Sequence, residues 1–462
     1  MSELPDLLRR TAELVAAYRT GIGDRPVAPG FDAARLRERL GGGGPLPAAG
    51  AEPAAVIEQL ATALEPALTA SAGPRWFGFV MGGSLDSATS ADMLASGWDQ
   101  VAFNPTSSPT AAMVEEVAGA WLKDVLGIPE RASFGFVTGG QAANNVGLAA
   151  GRHRLLARAG WDVERDGLAG APRIRVVASE ERHATVDRAL RLLGIGAGAV
   201  EEVPADANGA IDPHALEHTL AAGPQAPTLV CLQAGNVNTG ACDDLRAACD
   251  TAHRHGAWAH VDGAFGLWAA ASPSKRHLTA GLEEADSWAL DGHKWLNVPY
   301  DSGYVFCADS DAHAAAMSYT AAYLVGQDEG AARVPANYVP ESSRRARGLP
   351  TWAALRELGT DGLAELVDRC CALAARFGER LAPLDGVEIG NEIVLNQVLA
   401  RFGSDERTER LIAAVQRDGT CWMGGTTRRG RRYMRISVSN WSTTEEDVDR
   451  SVETIAGLLR DL

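Results

Sequence analysis

Two neighbouring stretches, Gly-Ala-Trp-Ala-His-Val-Asp-Gly-Ala (256–264) and Ser-Trp-Ala-Leu-Asp-Gly-His-Lys-Trp (287–295), decide how this chain is read. Each holds an apolar run of strand length, and each places a charge at or just past its end: Asp262 in the first, Lys294 in the second. A carboxylate where a buried strand ends is costly unless a cation or a set of donors meets it there. Lysine is rare, with only Lys123, Lys275 and Lys294 in 462 residues, and arginine supplies the other cations. A chain that prefers arginine yet keeps lysine between His293 and Trp295 has a use for a primary amine there, because a guanidinium stays charged. On this pair alone, a surface lysine and a helix-capping aspartate remain the alternative.

Outward from these stretches, apolar strand-like runs at 133–137, 174–178, 228–233, 257–261, 287–290 and 303–307 alternate with helical stretches at 112–126, 142–158, 184–193, 213–222 and 244–255. That alternation predicts an α/β domain over residues 76–350, with a large, mostly parallel sheet covered by helices on both faces. Ligands bind such sheets at the carboxyl ends of the strands, where Asp262 and Lys294 fall. Residues 1–75 predict helices at 5–19 and 31–40 and a Gly/Pro connector at 41–50. This segment has too little core to fold alone and is expected to pack on the main body or on a dimer partner. Residues 351–462 predict a small α+β domain, with a helix at 363–381, strands at 387–389, 394–399 and 433–438, and a closing helix from 443.

Composition excludes several functions. Net charge −16 argues against a nucleic-acid footprint, and the local Arg-Arg-Gly-Arg-Arg (428–432) reads as a solvated turn between two strands. No apolar run is long enough to span a bilayer. The first residues lack the basic and apolar regions of a signal peptide, so a cytoplasmic location is expected. Seven cysteines without CxxC or Cys/His spacing read as reduced thiols, and no metal site is expected. Cys242 and Cys249 are assigned to packing on one helix.

A lysine amine and a carboxylate at adjacent strand ends suit pyridoxal 5′-phosphate (PLP), whose demands can be sought in turn. Its phosphate needs backbone N–H donors at a helix start, and Val-Thr-Gly-Gly-Gln-Ala-Ala-Asn (137–144) gives a strand, two glycines and a helix. Its ring nitrogen needs a carboxylate, for which Asp262 is placed. Its ring face needs a flat partner, and His183 follows the 174–178 strand directly; a helix cap is the other reading of that histidine. His153, His214, His218, His253, His255, His277 and His313 are read as surface or capping residues.

These segments, taken with Gly-Pro-Arg-Trp-Phe-Gly-Phe-Val (73–80), Gly-Asn-Val-Asn-Thr-Gly-Ala (235–241) and Arg-Ile-Ser-Val-Ser-Asn-Trp (435–441), stand in an order that resembles the group II PLP-dependent amino-acid decarboxylases. The aromatic-amino-acid, tyrosine and glutamate decarboxylases are the members it is most similar to, nearly end to end. The resemblance implies the fold type I (aspartate aminotransferase-like) architecture, a homodimer, and loss of carbon dioxide from an L-amino acid to give an amine. It implies Lys294 as the lysine that links to the cofactor, Asp262 as partner of the ring nitrogen, His183 as the stacking residue and Ala264 as the small residue under the opposite face. Gly139, Gly140, Gln141 and His293 fall where the family holds the phosphate, and Asp291 where a further residue often assists. Tyr323, in Tyr-Thr-Ala-Ala-Tyr-Leu-Val-Gly-Gln-Asp-Glu-Gly (319–330), matches the catalytic tyrosine of a loop that usually reaches the neighbouring subunit, with Tyr319 a competitor for the role.

The chain departs from the pattern in two places. Gln141-Ala142-Ala143 replaces the common Ser-Glu-Ala after the glycines, which exchanges a hydroxyl for an amide at the phosphate. Met81-Gly82 replaces the Pro-Thr of the aromatic decarboxylases in a segment that helps to line the substrate pocket, so side-chain specificity is open. Phe79, Met81, Gly82 and Arg435 are the candidate substrate contacts; Arg435 is either a carboxylate binder or a buried structural arginine. Trp76, Phe79, Trp98 and Phe103 favour an apolar or aromatic substrate unless they belong to the core. An aminotransferase, an aldehyde-forming decarboxylase or oxidase, and a catalytically silent PLP-binding protein are the alternatives.

Overall fold

The computed structural model describes residues 4–30, 32–42, 44–319 and 333–462. Its large sheet contains β1 Ser133–Val137, β2 Arg175–Ser179, β3 Val200–Val203, β4 Thr228–Gln233, β5 Trp258–Asp262, β6 Ser287–Asp291 and β7 Gly303–Cys307. The strand order is β1-β7-β6-β5-β4-β2-β3. Neighbours are parallel except at β7, which runs antiparallel to both β6 and β1. Strands β1 and β6 therefore point the same way, and the carboxyl ends of β1, β2, β4, β5 and β6 share one side of the sheet.

Burial explains why these strands read as continuous apolar runs. Strands β2, β4, β5, β6 and β7 are buried along their whole length, as expected of a sheet covered on both faces. Along β4, Val230 and Leu232 enter one apolar cluster while Leu229 and Cys231 enter the other, so the period of two survives as a choice between two cores. Strand β3 escapes the sequence expectation because Val-Glu-Glu-Val is an edge strand on which only Val203 is buried.

The second sheet is antiparallel, in the order β10-β11-β9-β8, from β8 Val387–Ile389, β9 Gln397–Phe402, β10 Gly424–Arg428 and β11 Arg431–Ser437. Strand β10, Gly-Gly-Thr-Thr-Arg, carries no apolar residue; it is recruited by the two-residue Arg429-Gly430 turn, with φ values of 48° and 74°. The arginine-rich stretch is thus a turn, but not a wholly solvated one: Arg428 is buried and makes two 2.9 Å bonds to the Glu181 carboxylate. Helix Gly348–Leu381 is longer than expected, with one non-helical residue at Gly359. The closing helix Glu445–Arg460 starts at a capping box of Thr444 and Asp447.

Helices Leu4–Gly21 and Ala33–Arg39 stand where the sequence places them and bury none of their residues. Cys249 lies in helix Leu245–Arg254, whereas Cys242 precedes that helix, which corrects the shared-helix assignment. All seven cysteines are free. Among the described residues, no helix is long and apolar enough to cross a membrane.

Candidate active site

A cavity opens at the carboxyl ends of the large sheet, lined in part by His183, Asp262, Ala264 and Lys294. Each comes from a strand end: His183 follows β2, Asp262 ends β5, Ala264 lies two residues beyond it, and Lys294 lies just past β6. The sequence-derived core of the site is therefore brought together by the parallel topology alone.

Asp262 is buried and neutral donors converge on it. Asn144 Nδ2 donates to Oδ2 at 3.1 Å, the Ala264 N–H donates to Oδ1 at 3.2 Å, and the Thr185 hydroxyl stands 3.4 Å from Oδ2. Among the described residues this buried carboxylate makes no ion pair, and a protonated ring nitrogen would supply the positive partner. His183 caps helix Ala184–Leu192, one of the two readings, and it also lines the cavity. The Thr185 N–H donates to its Nδ1 at 3.3 Å, which leaves the proton of the neutral ring on Nε2. Burial lowers the His183 pKa, with Lys294 and Arg435 adding to the effect and Asp262 opposing it, so the ring is uncharged near neutrality.

The phosphate end is built from the turn between β1 and helix Gly140–Arg158. A Cβ on Gly139 would stand 2.9 Å from His293 Cε1, and one on Gly140 would stand 2.8 Å from Asp291 Oδ2, so only glycine leaves this cradle open. Gly303 of β7 serves the same approach, since a Cβ there would meet the Gly139 Cα at 2.4 Å. The Gly140 N–H, however, already donates to Asp291, whose other oxygen lies 2.8 Å from Lys294 Nζ. His293 Nδ1 accepts from the Ser302 N–H at 3.2 Å, leaving Nε2–H to face Asp291 Oδ1 at 3.2 Å. Burial pushes the Asp291 carboxyl up, but the charges of Lys294 and His293 and the bonds from Lys294 and Gly140 outweigh it and hold the carboxyl below its usual range. Gln141 reaches away, its amide donating to the Thr185 carbonyl at 3.2 Å.

At the rim, Phe79 and Arg435 line the cavity. Phe79 and Val80 have φ values of 56° and 58°, a conformation that non-glycine residues rarely adopt. Trp422 stacks on Trp76 at 4.3 Å and on Phe79 at 5.3 Å, which makes an aromatic wall. Met81 and Gly82 stand behind it: the Met81 carbonyl accepts from Ser439, and Gly82 packs so closely on the Lys294 carbonyl that a Cβ would overlap it at 1.6 Å. Trp98 is exposed on helix Asp86–Trp98, away from the cavity lining, and Phe103 also lies outside it. Tyr323 falls outside the described residues.

Several contributors escaped the sequence reading. Asn144 sits one helical turn after Gly140, a spacing that aims it at the strand end beside the phosphate turn. Gln233, which lines the cavity, ends β4 in register with Asp262. Trp422 has no signal in its own neighbourhood; a parallel backbone bridge pairs it with Trp76, its N–H donating to the Arg75 carbonyl and its carbonyl accepting from the Phe77 N–H.

The residues present fit PLP. A glycine cradle at the start of a 19-residue helix suits a phosphate, a buried carboxylate suits a protonated ring nitrogen, and the cavity lining includes the Lys294 amine with His183 and Ala264. Comparison with known proteins agrees. The chain matches the model of the pyridoxal-dependent decarboxylase conserved domain over residues 46–402. It is 27% identical to tryptophan decarboxylase 1 of Oryza sativa subsp. japonica, across 97% of this chain and 92% of that one. It is 30% identical to a tyrosine decarboxylase of the same plant, across 81% of this chain and 72% of that one. Its fold matches the crystal structure of Oryza sativa TDC with PLP and tryptamine at a TM-score of 0.91 and 25% identity, covering 99% of this chain and 98% of that one. The chain belongs to the pyridoxal-dependent decarboxylases, enzymes of fold type I that use PLP.

Proposed function

We propose that this enzyme decarboxylates an aromatic L-amino acid to its amine, acting in the cytoplasm as a homodimer. The observation that carries the substrate reading is the pairing, in one cavity, of a carboxylate-free cation with an aromatic wall. Arg435 is mostly buried, its guanidinium donates to the Val237 carbonyl at 3.2 Å, and it makes no ion pair among the described residues. A mostly buried guanidinium that faces the cavity and pairs with no carboxylate among the described residues suits an anionic substrate group. Phe79, which lines the cavity and is supported by the stacked Trp422 and Trp76, offers the flat apolar surface that an aromatic side chain would cover. The named activities of the rice relatives point the same way.

Bound PLP supplies the electron sink that makes loss of carbon dioxide from the substrate feasible. The protein's own part is positional. Lys294 presents the amine that would link to the cofactor. Asp262 would hold the ring nitrogen protonated, and Arg435 would orient the substrate carboxylate. Gly139, Gly140 and His293 would hold the phosphate. Tyr323 is the group we assign to return a proton to the substrate's α-carbon; Tyr319, its competitor, has its hydroxyl engaged by Ser342 Oγ at 2.6 Å. Apolar residues left open to solvent, among them Leu46 at 93%, Leu8 at 56% and Trp98 at 58%, are the surface a second subunit would cover.

The test is to incubate PLP-loaded protein with tryptophan, tyrosine, L-DOPA, phenylalanine and glutamate, following carbon dioxide, amine, aldehyde and keto acid. Equal amounts of carbon dioxide and amine from an aromatic substrate are expected. Turnover of glutamate alone would refute the substrate class, and keto acid without carbon dioxide would refute decarboxylation. Tyr323→Phe should cut amine output; unchanged output would remove Tyr323 from its role.

A further inference from the structure

His260 is fully buried directly beneath Asp262 and takes no part in the site as described so far. Its two ring nitrogens nevertheless sit in a continuous chain of hydrogen bonds. Trp258 Nε1 donates to Ser287 Oγ at 2.9 Å, Ser287 Oγ meets His260 Nδ1 at 2.8 Å, His260 Nε2 meets Asn144 Oδ1 at 2.8 Å, and Asn144 Nδ2 donates to Asp262 Oδ2 at 3.1 Å. The carboxylate end fixes the direction of the Asn144 and His260 links, because a carboxylate can only accept; Ser287, which accepts from the Trp258 indole, has its proton left for His260 Nδ1 at 2.8 Å or the more distant Gly147 carbonyl at 3.5 Å. Asn144 must turn its amide nitrogen to Asp262, which leaves its carbonyl to accept from His260. His260 must then carry its proton on Nε2 and accept from the Ser287 hydroxyl at Nδ1. The reverse orientation would set the Asn144 carbonyl against the Asp262 carboxylate.

We propose that Asn144, His260 and Ser287 form a one-way relay that fixes Asp262 as the acceptor for the cofactor's ring nitrogen, with Asn144 and His260 as positioning residues. The surroundings are built for it. Asn144, His260 and Ser287 are buried to within 1% of completeness, so no water competes for these bonds. Helix Gly140–Arg158 makes room for the imidazole with a glycine: a Cβ on Gly147 would stand 2.8 Å from His260 Cε1. Burial pushes the His260 pKa down to about 4, against the pull of Asp262, so the ring stays neutral and the relay keeps its direction near neutral pH. Hydrogen bonds in such a chain polarise one another, so the donor that reaches Asp262 is stronger for having His260 behind it.

This inference rests on the cofactor assignment, and the experiment separates the two. Full-length apoprotein is titrated with PLP, and the dissociation constant and the visible spectrum of the bound cofactor are recorded for wild type, Asn144→Leu, His260→Phe and the double variant. Each single substitution should weaken PLP binding roughly tenfold, the worth of a hydrogen bond to a charged group. Both should move the visible band in the same direction, and the double variant should be no weaker than Asn144→Leu. A His260→Phe protein with wild-type affinity and spectrum, or losses that add in full, would overturn the relay and make His260 plain core. Ser287→Ala, a smaller change, carries the same test if His260→Phe does not fold: a spectrum identical to wild type overturns the proposal. A wild-type protein that takes up no PLP would refute the cofactor assignment itself.

Discussion

Asp291→Asn is the substitution whose outcome the site geometry constrains most. In the structure the Asp291 carboxylate holds two groups assigned above to PLP: the Gly140 N–H and the Lys294 amine at 2.8 Å. An anion seated on the same N–H would lie about 4 Å from the carboxylate, where two unit charges repel by about 4 kcal/mol at an effective dielectric of 20. Loading also removes Lys294 as counter-charge. Neutralising Asp291 should therefore tighten PLP binding, by roughly tenfold once the amide's remaining bonds are counted. The apoprotein should pay for this in stability. Breaking a buried pair costs about 3–5 kcal/mol when the partner charge is stranded, but the Lys294 side chain is 19% exposed and reaches water, so about 1–2 kcal/mol is expected, a fall of a few degrees in the apo melting midpoint. The sign with pH follows. Because the folded protein depresses the Asp291 carboxyl, its contribution is present above the ordinary carboxylate pKa and is lost as pH falls through the lower folded value. Wild type and variant should thus converge in acid. The assay is PLP titration of apoprotein alongside melting curves across pH. Weaker PLP binding by Asp291→Asn, with an unchanged apo midpoint, would refute the competition and make Asp291 a helper of the phosphate instead.

Three further outcomes are expected. Arg435→Gln should raise KM for an aromatic substrate by roughly tenfold or more while leaving PLP affinity as in wild type, because a charge-assisted bond to the substrate is lost; steady-state kinetics beside a PLP titration check it. Trp422→Ala removes the ring that stacks on both Trp76 and Phe79 and should lower kcat/KM for aromatic over aliphatic substrates about tenfold, measured by direct competition. Arg428→Met removes both bonds from the buried guanidinium to the Glu181 carboxylate, two residues before His183, and leaves it only the half-exposed Arg429 at 3.3 Å, which should cost about 1–2 kcal/mol; a shifted urea midpoint reports the loss, and Glu181→Gln in the same background should recover part of it.

What the sequence discloses and what it hides follows from how each feature is made. The central strands were legible because burial on both faces makes them uniformly apolar, and the punctuation at their ends marks Asp262 and Lys294. Strands β3 and β10 were not, since Val-Glu-Glu-Val is an edge and Gly-Gly-Thr-Thr-Arg is held by its hairpin partner and turn. The same division runs through the site. The residues assigned to the cofactor sit at strand ends in recognisable motifs, whereas Asn144, His260 and Ser287 come from one helix and two strands and meet because β5 and β6 pair side by side with His260 opposite Ser287. Gly82 shows the opposite failure: placed in the pocket by its neighbours in sequence, it is instead the point where backbone meets backbone at Lys294. A motif reports the groups that chemistry requires to be of one kind. The orientation of those groups is set by register, and register is a property of the sheet.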